Sequence, residues 1–238
     1  TTVSSLAAQW SAVTPAATSY TLQMATASTF TGTVASSVTV ALSAGISGLS
    51  ANTTYYARVR SALNGNGAWS SSIATSTLAN PPTSGSLSSG GSSVTASWSA
   101  NGNPNVTWYT VEVGTASDFS VFTASASTTS VTCVFSGLAS GTRYHGRVRA
   151  VNHDAVVTTW LSLGFADTDD SIAPSAVTDL AGATISMASR VRLTWTTTGD
   201  NASVGPLNPG TFRIFRSSVP ALLSGVTAAT SAAGALTR

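Results

Sequence analysis

The sequence predicts an all-β protein built as a row of small two-sheet sandwiches. Three observations lead there. The run Leu49-Ser-Ala-Asn52-Thr-Thr-Tyr55-Tyr-Ala-Arg58-Val59-Arg60 is written again as Leu138-Ala-Ser-Gly141-Thr-Arg-Tyr144-His-Gly-Arg147-Val148-Arg149. Trp10, Trp98 and Trp195 mark the same repeat at intervals of about 90 residues, too long for a solenoid unit and right for one small β-domain. Short alternating apolar and polar runs, separated by Ser, Gly, Asn and Pro, fill the chain, and no convincing helical period interrupts them.

The second repeat shows its elements most clearly. Strands are expected over residues 84–88, 93–99, 107–114, 119–126, 130–135, 142–151 and 159–165. The second of these carries Trp98. In the third, Tyr109, Val111 and Val113 share one face, while Thr110 and Glu112 share the other. In the fifth, Cys133 alternates onto the apolar face with Val131 and Phe135, which predicts a small core residue and no reactive thiol. In the sixth, Tyr144, Gly146 and Val148 point inward, and Arg143, His145, Arg147 and Arg149 point outward. Glu112 is expected to meet that arginine stripe across neighbouring strands.

These residues carry a family resemblance. A Trp on the second strand, a Tyr on the third (Tyr20, Tyr109, with Phe212 in its place), the Leu-x-x-x-Thr-x-Tyr-x-x-Arg-Val-Arg run and the late Trp69 and Trp160 resemble fibronectin type III domains. Residues 172–180, followed by Leu193-Thr-Trp195, look like bacterial members of that family. The resemblance implies tandem immunoglobulin-like β-sandwiches. Tyr55 and Tyr144 would form tyrosine corners, with their hydroxyls bonded to upstream backbone. The expected structural core markers are thus Trp10, Trp98, Trp195, Tyr55 and Tyr144. The integrin-binding tripeptide Arg-Gly-Asp of the family is absent, so that adhesive role does not carry over.

Three domains are expected: residues 1–79, lacking a first strand, residues 80–171, complete, and residues 172–238, the N-terminal part of a third with an Ala-rich tail. The first and third are therefore incomplete. Asn80-Pro81-Pro82 and the segment from Asp167 to residue 174 act as short, stiffened links that hold the modules end to end. A fragment of a longer repeat array accounts for the incomplete ends. Alternatively, residues 227–238 complete a neighbouring copy by strand addition, and repetition would then build a head-to-tail filament.

Composition narrows the function classes. Charged residues make up 8% of the chain, all ten basic residues are Arg, and the single Glu is Glu112. Ser and Thr supply nearly a third of the residues, so solubility rests on hydroxyls more than on charge. A surface poor in Lys and Glu loses little side-chain entropy when covered, which suits packing against a partner or carrying sugar. No basic run tracks phosphates, so nucleic acid is not an expected partner. No apolar stretch reaches the roughly 18 residues of a membrane span. With one cysteine, no intrachain disulfide can form.

No catalytic arrangement is expected. His145 and His153 lack a metal-ligand spacing to a second His or Cys, and His153-Asp154 reads as a solvated turn. No nucleophile elbow or framed carboxylate pair occurs. The Asp167-Thr-Asp169-Asp170 cluster offers three carboxylates, too few by themselves for calcium, and reads as a solvated linker. No metal and no cofactor are expected. Three glycosylation sequons start at Asn52, Asn105 and Asn201, all in turns expected to be exposed. The outward arginines form a cross-strand pair with Glu112 or, on a sharper reading, a glycan- or polyanion-binding face. Phe215 falls on the outward parity, opposite Phe212 and Ile214. The expected role is a non-catalytic extracellular structural segment: a spacer, adhesive or filament-forming part of a secreted or cell-surface protein, with other protein subunits or surface glycans as partners. The alternative is an accessory region of a larger secreted polysaccharide-degrading enzyme.

Overall fold

Alternation in the sequence becomes strands because each pleated run buries one face and wets the other. The computed structural model describes residues 1–173, 175–184, 191–196, 211–216 and 227–232, and its described elements are all strands. The chain divides into two compact units, Thr1–Asp169 and Asp170–Arg238.

The first unit holds two modules. In the first module, β1 (Ser5–Gln9) pairs with β4 (Ser43–Ser47), facing a sheet ordered β3–β2–β5–β6, from β2 (Ser19–Ala25), β3 (Val34–Thr39), β5 (Thr54–Ala62) and β6 (Ile73–Ser76). In the second, β7 (Thr83–Gly90), β8 (Ser93–Ser99) and β11 (Thr132–Phe135) form a sheet ordered β11–β8–β7. It faces β10–β9–β12–β13, from β9 (Trp108–Gly114), β10 (Ala124–Thr128), β12 (Arg143–Val151) and β13 (Leu161–Asp167). All pairings are antiparallel. One sheet thus has two strands in the first module and three in the second.

Each module has its own core. Trp98, Tyr109, Val111, Val113, Tyr144 and Val148 are buried in the second, with Cys133 packed at its margin. Leu6, Leu22, Met24, Ile46 and Tyr55 are buried in the first, with Trp10 half-buried against them. The Trp98 and Tyr109 rings meet edge to face at 5.4 Å, and Trp10 and Tyr20 lie tilted at 5.6 Å. Burial pushes the Cys133 thiol up, away from the thiolate that would react.

One strand differs from expectation. The fourth strand of the second module starts at Ala124, whereas residue 119 was expected. Phe119 takes φ +57° and its N–H donates to Ala116 O at 3.1 Å, so the chain turns there. The turn packs so closely on β9 that a Cβ at Gly114 would lie 2.6 Å from the Val121 carbonyl oxygen.

In the second unit, β14 (Ala181–Thr184) pairs with β15 (Val191–Thr194), and β16 (Thr211–Arg216) pairs with β17 (Thr227–Ala232). Residues 227–232 therefore already form a strand pair within their own chain, which corrects the reading of this stretch as a spare strand for a neighbour. Residues 233–238 and the side chains of Phe212 and Phe215 lie outside what is described.

Candidate functional site: the junction of the first two modules

Turns rich in Asn, Thr and Ser carry side-chain amides and hydroxyls that must find partners when covered. At one end of the first module, the turn before β5 and the end of β6 present Asn52, Thr54, Ser76 and Thr77. The second module approaches with the loop after β12, Asn152-His153-Asp154, and with Thr107 just before β9. The two sets interlock. The Asn52 side-chain amide donates to Thr107 Oγ1 at 2.8 Å, and its Oδ1 accepts from the His153 N–H at 3.0 Å. Asn152 Nδ2 donates to the Thr77 carbonyl at 3.1 Å. Asp154 Oδ2 accepts from the Ser76 N–H at 2.7 Å and from the Thr75 hydroxyl at 3.1 Å. Thr54 Oγ1 and His153 Nδ1 share a bond of 3.1 Å.

Asn52, Thr77 and Thr107 are fully buried there, at 0% exposure. Leaving such a group unpaired costs about 1–3 kcal/mol, so opening the junction without water replacement is costly. The link itself is tied down as well. Asn103 grips Asn80 by both backbone groups: the Asn80 N–H donates to Asn103 Oδ1 at 2.7 Å, and Asn103 Nδ2 donates to Asn80 O at 2.8 Å. Asn101 Nδ2 donates to Pro81 O at 2.9 Å. Burial pushes the Tyr109 phenol up, with Asn103 opposing.

One sequence reading is corrected by this geometry and another is extended. Asn52 is no exposed acceptor turn: its amide is sealed between modules with both polar atoms used, so a glycan has no room in the folded chain. His153-Asp154 lies in an exposed turn, as expected, and this turn also bonds across the junction. Asn105 is exposed, as its sequon requires, and Asn201 lies outside the described residues.

A second arrangement repeats on the outward sheet faces. In the first module the Arg58 guanidinium lies 3.9 Å from the Phe30 ring centre and 4.4 Å from that of Trp69, and Arg60 lies 4.5 Å from Trp69. In the second, Arg147 lies 4.2 Å from Phe119 and 4.3 Å from Trp160, and Arg149 lies 4.3 Å from Trp160. Each such stack contributes about 0.5–1 kcal/mol at an exposed site. Together they clip the turn after β2 or β9, and the segment before β6 or β13, onto the sheet. The registers place Gln23 opposite Arg58 and Glu112 opposite Arg147. Arg147 Nη2 lies 2.6 Å from Glu112 Oε2, whereas Arg58 donates to Gln23 Oε1 at 2.9 and 3.1 Å. The guanidinium faces are thus already covered by rings. Sequence reasoning placed the arginines but missed Phe30 and Phe119; the repeat Thr26-Ala-Ser-Thr-Phe30 and Thr115-Ala-Ser-Asp-Phe119 was the available signal.

The remaining candidates separate. Tyr55 and Tyr144 hydroxyls accept from Ser50 N at 3.0 Å and Ala139 N at 3.1 Å. Trp195, in the second unit, is half-buried. His145 tilts against Phe165 at 6.0 Å. Asp167 takes a two-pronged bond from Arg143 at 2.8 and 2.9 Å, and Asp169 accepts from Gly91 N at 3.2 Å, so these carboxylates serve different partners. Among the described residues no group of three or more His, Cys, Asp or Glu converges, and no helix is long and apolar enough to cross a membrane.

The family model of the fibronectin type III domain matches residues 80–159. No curated protein sequence matches the chain. Among solved structures, the chain is similar to a two-domain fibronectin type III segment from chicken tenascin, at 19% identity and a TM-score of 0.49, over 70% of this chain and 94% of that one. The second module is a fibronectin type III domain. The first repeats its strand order from β8 onward, its tyrosine corner and its arginine ladder, so the two stand in tandem.

Proposed function

We propose that the chain is a non-catalytic structural segment of a secreted or cell-surface protein, working as a spacer, adhesive or filament-forming element. The junction carries this reading. Polar groups bonded across the junction, buried at Asn52, Thr107 and Asn152 and exposed at Asp154, resist bending, and a rigid coupling transmits length and force where a loose linker would not. Hydroxyl-rich faces with few charges suit lateral packing against other subunits or glycans. Residues 172–238 fit the start of a further domain of the same kind, which would extend the row.

Residual dipolar couplings on the intact chain test the coupling: the modules spanning residues 1–79 and 80–169 should share one alignment tensor. Two distinct tensors would remove the basis for a rigid spacer. Electron microscopy of native material tests the assembly. Ordered polymers with a repeat near the length of this chain support filament formation, and dispersed single particles refute that part.

A further inference from the structure

Three Asn-Gly pairs occur in the first unit: Asn64-Gly65, Asn66-Gly67 and Asn101-Gly102. In such a pair the glycine nitrogen can attack the asparagine side-chain carbonyl, because glycine has no Cβ in the way. The attack requires an amide side chain free to swing and a following N–H free of its own acceptor. The three pairs meet these conditions unequally. Asn101 is tied at its side chain, with Nδ2 donating to Pro81 O at 2.9 Å, and its carbonyl accepts from Asn80 Nδ2 at 2.9 Å. Asn66 is followed by Gly67, whose N–H donates to Ser61 O at 2.8 Å. Asn64 is exposed, and neither its side chain nor the Gly65 N–H is bonded among the described residues. Gly65 sits at φ +135°, and no atom lies within 4 Å of where a Cβ would be.

We infer that Asn64 is a site of spontaneous covalent modification, converting to aspartate and isoaspartate while Asn66 and Asn101 are protected by the fold. The Gly65 nitrogen bonds to Asn64 Cγ, the Cγ–Nδ2 bond breaks, and Nδ2 leaves as ammonia, taking the proton that the Gly65 nitrogen gives up. One water then opens the cyclic imide at either carbonyl. Residues 1–79 contain no Asp or Glu, so the product is the first carboxylate of that module. It appears at the end away from the junction, in the concavity lined by Val13, Pro15 and Leu63. That end therefore gains negative charge as the molecule ages.

Incubation of the intact chain at mildly alkaline pH, with peptide mapping by mass spectrometry over time, tests this. Asn64 should lead the other two by roughly fivefold or more, the factor set by one hydrogen bond that must break first. In concentrated urea the three rates should converge. Conversion of Asn66 or Asn101 at the pace of Asn64 in the folded chain overturns the inference. So does an intact Asn64 in the folded chain, or a lead for Asn64 that persists in urea.

Discussion

The same three positions in the two modules are put to opposite uses. At the receiving end of the first module stand Asn52, Thr54 and Ser76; in the second, the equivalent places hold Gly141, Arg143 and Asp167. Thr54 faces Ser76 across β5 and β6, as Arg143 faces Asp167 across β12 and β13. The first set is neutral: Thr54 and Ser76 share a hydroxyl bond at 3.0 Å yet keep further bonding capacity, and the next module docks on it. The second set is charged: Arg143 and Asp167 neutralise each other in a bidentate pair, and Gly141 has no side-chain amide to offer. A module end becomes a junction, then, when its polar groups keep bonds to make with the next module, as Asn52 and Ser76 do.

The largest test concerns the cores. Trp98→Ala should cost about 3–5 kcal/mol, because a buried indole leaves a cavity between a three- and a four-stranded sheet. Trp10→Ala, half-buried over a two-stranded sheet, should cost about 2 kcal/mol. Urea denaturation of both variants checks the order, and a reversal would break the comparison between modules. Next comes the junction. Asn52→Ala should cost about 2–3 kcal/mol, from unpaired Thr107 and His153 groups and from an alanine at φ +42°. Gly141→Asn, at φ +55° on the other end, should stay within about 0.5 kcal/mol. Equal effects would mean that the first module's docking chemistry is not special.

The ladders give a smaller effect. Glu112→Gln copies the first module's pair into the second and should cost about 0.5–1 kcal/mol in dilute buffer, less in high salt. No measurable cost at low or high salt would show the pairs to be equivalent. The smallest effect is pH dependence. The hydrogen bond from Arg143 holds the Asp167 carboxyl below its usual range. A depressed folded pKa contributes stability above the unfolded value, lost as pH falls through the folded one. Asp167→Asn should flatten the acid-side decline slightly, and a stability–pH series that is unchanged would assign the decline elsewhere.

Much of this was legible locally. Strands β8, β9 and β12 declare themselves by period-two alternation, and Tyr55 and Tyr144 by the repeated run around them. The arginine faces followed from parity alone. The rings that cap them did not, because Phe30 and Phe119 reach Arg58 and Arg147 from turns rather than from the strand itself. Strand β10 was misplaced because residues 119–123 are apolar enough to imitate a strand, while the turn depends on the close approach at Gly114.

The order of strands, the facing of their side chains and the module repeat were determined by the sequence, since each depends on neighbours within a few residues. Which polar loop residues are buried was decided only by the tertiary structure. Asn52 meets Thr107 and His153 across 55 and 101 residues of chain. No local pattern encodes that meeting: a turn asparagine looks the same whether it faces water or another module, and only the partner surface makes its amide a buried bond.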